Sequence, residues 1–176
     1  LENIICFSNK EAYIVQISTD YVFDGKSGPY IEDDATIPIN YYGRTKLEAE
    51  NILRGSRRRN LIIRTNVNYS EDLNNKSNFF AWIYNSLHNN KTISVVNDQF
   101  SNPTFVLYLA ELIFKSIIVN CEGIFHYGSS DFISRYDFAI LVADVFSFDK
   151  NLIIQVDTQY LKNNIHSYVA NRPKKS

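Results

Sequence analysis

The run Tyr13-Ile14-Val15-Gln16-Ile17 passes without interruption into Ser18-Thr19-Asp20-Tyr21-Val22-Phe23-Asp24-Gly25. A short apolar run rich in β-branched residues reads as a buried strand. Thr19 then falls at the C-terminal end of that strand, where open α/β sheets place their ligands. Asp24-Gly25 is good turn chemistry and closes the segment. Leu61, Ile62 and Ile63 form a second continuously apolar run, as expected for a parallel strand buried on both faces. Between the two strands, residues 40–54 read as a helix with Gly55 as its stop. Strand, helix and strand in this order make the chain an α/β protein with a parallel sheet.

The helix carries the pentapeptide Tyr42-Gly43-Arg44-Thr45-Lys46. Tyr42 and Lys46 lie one turn apart on one helix face. A tyrosine that gives a proton to a developing alkoxide benefits from a cation that lowers its pKa. With Thr19 the chain thus offers a hydroxyl, a phenol and an ammonium that could converge on one carbonyl. Tyr-x-x-x-Lys alone is weak, since roughly one match arises by chance in a chain of this composition and its plain reading is a solvated helical pair. The octapeptide and the pentapeptide in this order and at this separation are far more selective.

With those two motifs the sequence resembles the extended type of the short-chain dehydrogenase/reductase superfamily, and within it the dTDP-4-dehydrorhamnose reductase family. The resemblance runs on through Gly28-Pro29-Tyr30-Ile31-Glu32-Asp33-Asp34 and Pro38-Ile39-Asn40-Tyr41, then Lys46-Leu47-Glu48-Ala49-Glu50 and Ile63-Arg64-Thr65. It continues with Asn97-Asp98-Gln99-Phe100-Ser101-Asn102-Pro103-Thr104, Gly123-Ile124-Phe125-His126, Ser134-Arg135-Tyr136-Asp137-Phe138-Ala139 and Asn171-Arg172-Pro173 with Ser176.

This resemblance implies the C-terminal part of a Rossmann-like doubly wound parallel sheet plus a small α/β substrate lobe. Residues 1–70 would be the second half of the Rossmann-like domain with its catalytic helix. Residues 71–176 would be mainly the substrate lobe, with segments returning to the sheet. The implied activity is reduction of a 4-keto nucleotide sugar, dTDP-4-dehydrorhamnose to dTDP-rhamnose, with NADPH or NADH. Tyr42 would protonate the alkoxide, Lys46 would depress the Tyr42 pKa and meet the nicotinamide ribose, and Thr19 would orient the carbonyl. Ser18 is implied as a cofactor contact, and Asp20, Tyr21, Val67 and Arg172 as substrate contacts, with Asp20 supporting its loop rather than reacting. Tyr41 points elsewhere on the helix and does not substitute for Tyr42. A homodimer is compatible with the resemblance.

Neighbouring chemistries fit less well. Sugar-nucleotide dehydratases of the superfamily carry a glutamate after Thr-Asp, where this chain has Tyr21. Epimerases usually carry Ser-Ser or Ser-Ala and then Val-Tyr-Gly. Many rhamnose-pathway reductases continue Arg-Thr with Ser-Trp-Val-Tyr, whose tryptophan packs on the sugar, whereas this chain has Asn66-Val67-Asn68-Tyr69. A second class is a non-catalytic regulator, because the β subunit of methionine adenosyltransferase resembles the same family. None of the glycines forms the family's opening Gly-x-x-Gly-x-x-Gly turn, and the chain contains no methionine. The expectation is therefore the C-terminal part of a longer protein, inactive alone.

Bulk properties bound the rest. At 176 residues, one domain or a domain plus a small lobe is expected. A net charge of −1 argues against broad affinity for nucleic acid or anionic membranes, and no apolar run reaches bilayer length. Cys6 and Cys121 suggest neither a disulfide framework nor a metal site and suit a reducing cytoplasm, and the three histidines stand far apart. Arg54 and Arg57 to Arg59 read as a solvated helix cap, with phosphate binding as the functional alternative. Helical spacing over Phe79–Leu87 assigns Trp82 to the core. Ile93–Val96 and residues 152–156 read as short strands. Pro103 is expected near the first turn of an apolar helix ending around Val119, and Ser134 with Asp137 has capping-box spacing.

Overall fold

The computed structural model describes residues 1–75 and 77–164. Its first elements are α1 (Glu2–Phe7), β1 (Ile14–Thr19), α2 (Tyr41–Gly55), β2 (Asn60–Thr65) and β3 (Asn68–Tyr69). There follow α3 (Phe79–His88), β4 (Ile93–Val96), β5 (Phe100–Ser101), β6 (Thr104–Phe105), α4 (Val106–Ile118) and β7 (Gly123–His126). The last are β8 (Ile133–Ser134), α5 (Arg135–Phe146), β9 (Ile153–Val156) and α6 (Thr158–Asn164).

Strands β1, β2 and β7 form one parallel sheet with β2 in the centre. Thr19 lies in register with Thr65, and Arg64 with His126, so the strand ends lie side by side. Successive side chains of β2 point to opposite faces. Ile62 packs with Ile14 and Leu53 on the α1–α2 side, while Leu61 and Ile63 pack with Leu109 of α4 on the other. That two-sided burial is why the strand is apolar without alternation.

A second core holds the smaller lobe. Parallel strands β4 and β9 carry Ile93, Val95 and Ile153 against Ile83 and Leu87 of α3 and Phe138, Ala139, Val142 and Ala143 of α5. The chain crosses between the lobes at two short ladders, β3 with β6 and β5 with β8. The mixture of helices and parallel strands is the α/β architecture expected from the sequence.

Four local expectations are corrected. Gly55 does not end α2 by a left-handed turn: the cap is Ser56 in ordinary helical geometry, and the positive φ of 56° falls on Arg57. The arginines after α2 are not a simple solvated cap. Arg58 donates to the Ile5 and Asn9 carbonyls and to Ser8, and Arg59 pairs with Glu122 and Asn120, so they stitch α2 to α1 and to the approach to β7. Pro103 precedes β6 rather than opening α4, because Thr104 and Phe105 are taken by the ladder with β3. At α5 the Ser134 hydroxyl accepts from the Asp137 N–H, but the shorter Asp side chain receives that hydroxyl, at 2.6 Å, in the return bond. Among the described residues no helix is long and apolar enough to cross a membrane.

Candidate active site

The site begins with a turn and a glycine. Past β1 the chain makes a single 3-10 turn, Asp20–Val22, capped by Thr19, whose Oγ1 accepts from the Tyr21 N–H at 3.2 Å. Twenty residues on, Asn40 caps α2 by accepting from the Gly43 N–H at 2.7 Å. The first turn of α2 lies directly on the 3-10 turn. A Cβ built on Gly43 would stand 2.1 Å from the Tyr21 carbonyl oxygen and 3.0 Å from Pro38 Cβ. Only a residue without a side chain lets the two backbones meet this closely. Gly43→Ala is therefore expected to push α2 off the turn, costing about 1–3 kcal/mol from overpacking. Urea unfolding would measure the loss.

That contact sets Tyr42 beside Thr19. The Tyr42 phenol and the Thr19 hydroxyl border the same cleft, and the Tyr42 ring meets Tyr21 edge-on at 5.7 Å. Desolvation, and secondarily the Asp20 carboxylate, hold the phenol above its ordinary pKa, while the nearby Thr19 hydroxyl acts in the opposite direction. Lys46, one turn along, donates to the Ile17 carbonyl at 2.9 Å, with its ammonium 5.9 Å from the centre of the Tyr42 ring. The expected depression of the phenol by Lys46 is thus not met in this arrangement. The ammonium lies over the ring and on a strand carbonyl rather than at the phenolic oxygen, and burial sets the direction of the shift.

All three groups line one cleft of about 710 Å³, together with Asp20, Tyr21, Asn66, Val67, Asn78, Phe79, Trp82 and Arg135. Asp20 accepts from the Thr19 hydroxyl at 3.0 Å and so braces its loop. Val67 forms part of the wall with φ at +36°, a left-handed conformation that a β-branched residue adopts only under strain. It is held there because its carbonyl accepts from the Thr104 N–H at 3.2 Å, while Asn66 accepts from the Asn102 N–H at 3.2 Å. Ser18 borders the same cleft, but its hydroxyl donates to Glu50, a carboxylate fully buried beneath the sheet end. Arg64 closes on the same carboxylate at 2.8 Å and also reaches the Glu32 carbonyl at 3.2 Å. The Ser18 side chain therefore belongs to a buried ionic network under the site. Arg172 lies outside the described residues.

Two placements were missed from sequence. Trp82 is not core: it is 41 % exposed and forms part of the cleft wall. The buried stripe of α3 runs through Ile83 and Leu87, and Trp82 falls beside it, an offset that the spacing already contained. Arg135 entered only as part of a segment, yet its guanidinium lies 4.6 Å over the Phe79 ring at the cleft. Among the described residues no group of His, Cys, Asp and Glu could hold a metal ion.

Fold and cleft together define a Rossmann-like α/β protein with a cleft at the C-terminal ends of parallel strands. The model of the RmlD substrate binding domain matches residues 6–176, and the chain belongs to that family. Relatives include the spore coat polysaccharide biosynthesis protein SpsK of Bacillus subtilis, 36 % identical over 134 residues, covering 76 % of this chain and 46 % of the relative. The dTDP-4-dehydrorhamnose reductase of Escherichia coli is 36 % identical over 137 residues, covering 74 % and 45 %. The bovine methionine adenosyltransferase 2 subunit beta is 30 % identical over 142 residues, covering 77 % and 42 %. Among solved structures, a dTDP-4-dehydrorhamnose reductase from Bacillus anthracis in complex with NADP superimposes with a TM-score of 0.84 at 30 % identity, covering 93 % of this chain and 56 % of that one. The chain spans about half the length of the curated relatives it matches.

Proposed function

We propose that this chain carries the proton donor and the substrate side of an NAD(P)H-dependent reductase that acts on a 4-keto nucleotide sugar, dTDP-4-dehydrorhamnose, to give dTDP-rhamnose. The observation that carries the reading is the convergence of Thr19, Tyr42 and Lys46 on one cleft, with the threonine hydroxyl beside the phenol. Family membership and the 36 % identity to a named reductase support the substrate.

The residues divide the work. Thr19 orients the ketone oxygen through its hydroxyl. Tyr42, a phenol that desolvation holds above its ordinary pKa, delivers a proton to that oxygen as negative charge grows on it. Lys46 and Tyr42 offer an ammonium and a phenol that suit the hydroxyls of a nicotinamide ribose. When bound, NADPH or NADH supplies the hydride. Asp20 and Tyr21 hold the threonine turn, and Val67, with Arg172 by the family resemblance, borders the sugar. The buried Ser18–Glu50–Arg64 network keeps the strand end rigid beneath them.

A second reading, a regulatory subunit without turnover, has the methionine adenosyltransferase relative in its favour. Both are tested by supplying the natural full-length protein with NADPH or NADH and dTDP-4-dehydrorhamnose. Loss of absorbance at the nicotinamide wavelength with formation of dTDP-rhamnose is the expected result. Stable capture of a methionine adenosyltransferase catalytic subunit without any nicotinamide oxidation would overturn the reductase reading.

A further inference from the structure

The only tryptophan of this sequence, Trp82, stands on the wall of the cleft. Its placement is well braced. Phe79 and Trp82 are offset-stacked, with ring centres 5.6 Å apart and planes 19° from parallel. Phe79 in turn stacks on the buried Phe138 at 5.9 Å, and Arg135 caps its face at 4.6 Å. The aromatic wall is thus anchored through Phe138 to the core of the smaller lobe while the indole remains accessible. Position 67, on the same cleft, offers only an isopropyl group.

We propose that Trp82, backed by Phe79 and Arg135, is the surface on which the sugar ring of the substrate lies, and that it sets specificity for the sugar rather than for the nucleotide. The inference rests on the reductase reading for the identity of the substrate. The electron-rich face of an indole attracts the weakly positive C–H face of a pyranose, and such pockets add a few polar groups for orientation. Here Asn68 borders the same cleft, its Oδ1 accepting from the Thr65 hydroxyl at 3.0 Å. A stacking wall on the cleft that Thr19 and Tyr42 also line would hold the ketone carbon against the proton donor.

The test uses the natural full-length protein and its Trp82→Ala and Trp82→Phe variants. With dTDP-4-dehydrorhamnose as substrate, Trp82→Ala is expected to raise KM about tenfold with kcat within about threefold, and Trp82→Phe to stay near wild type. A kinetic pattern in Trp82→Ala indistinguishable from wild type would overturn the proposal. The emission difference between wild type and Trp82→Phe isolates this indole. It should be quenched by dTDP-rhamnose and left unchanged by dTDP. Equal quenching by dTDP would assign the ring to the base and overturn the sugar assignment. Quenching by dTDP-rhamnose alone, in a wild-type protein that oxidises no nicotinamide, would retire the reductase reading and support the sugar platform.

Discussion

Replacing Tyr42 by phenylalanine in the full-length protein should lower the rate of nicotinamide oxidation by about 10²- to 10⁴-fold, the usual worth of a positioned general acid. The ring is retained, so the edge-on contact with Tyr21 and the packing of the first turn of α2 persist. Only the phenolic oxygen beside Thr19 and its transferable proton are lost. KM for the nucleotide sugar should move little, because the lost interaction matures in the transition state. The pH profile adds a second check. The phenol is held above its ordinary value near 10, so it is protonated throughout the neutral range and activity should fall only on the alkaline side. Asp20 contributes to that elevation, so Asp20→Asn should move the alkaline limb to lower pH. An alkaline limb that persists unchanged in the residual activity of Tyr42→Phe would assign the titrating group elsewhere.

Removing Glu50 should have the largest effect on stability. The carboxylate is fully buried, receives the Ser18 hydroxyl and the Nε and Nη2 of Arg64, and Arg64 is itself only 4 % exposed. Glu50→Ala would leave a guanidinium charge inside the protein without its counter-ion, a change that costs about 3–5 kcal/mol. For a chain of this size that is a fall of about 10 °C in thermal midpoint. The Glu50→Leu, Arg64→Met double variant should recover most of the loss, because the larger part of the penalty is the orphaned charge rather than the absent attraction. Glu122→Gln, whose pair with Arg59 is open to solvent, is the matched control and should change the midpoint little. Calorimetry or urea unfolding on the four proteins would decide the matter. A single-variant loss no greater than the control would mean that water reaches the pair.

The features that were legible in the sequence are those written in short, contiguous stretches. The strand ending at Thr19, the helix bearing Tyr42 and Lys46, and the apolar β2 run each carry their own periodicity and were read within a residue or two of their observed bounds. What was not legible depends on partners far along the chain. Trp82 was assigned to the core because its helix is apolar, but which side of an apolar helix faces a cleft is decided by α5 and β4 packing on the other side. Lys46 was expected to act on the phenol by spacing alone, yet its ammonium goes to a carbonyl of β1, and no periodicity encodes that choice. Gly43 was passed over inside a familiar motif. Its significance comes from the Tyr21 carbonyl, which is distant in sequence and adjacent in space.

The joined backbones of residues 66–68 and 102–104 carry a consequence for protein engineering. Asn66 is tied to Asn102, Val67 to Thr104, and Asn68 pairs with Thr104 in the ladder. A chimera that imports a relative's residues at 66–68 alone would seat them on a foreign strand and lose the register that keeps Val67 in its uncommon conformation. This wall of the cleft should therefore be transplanted as a two-piece cassette, both stretches taken from the same donor.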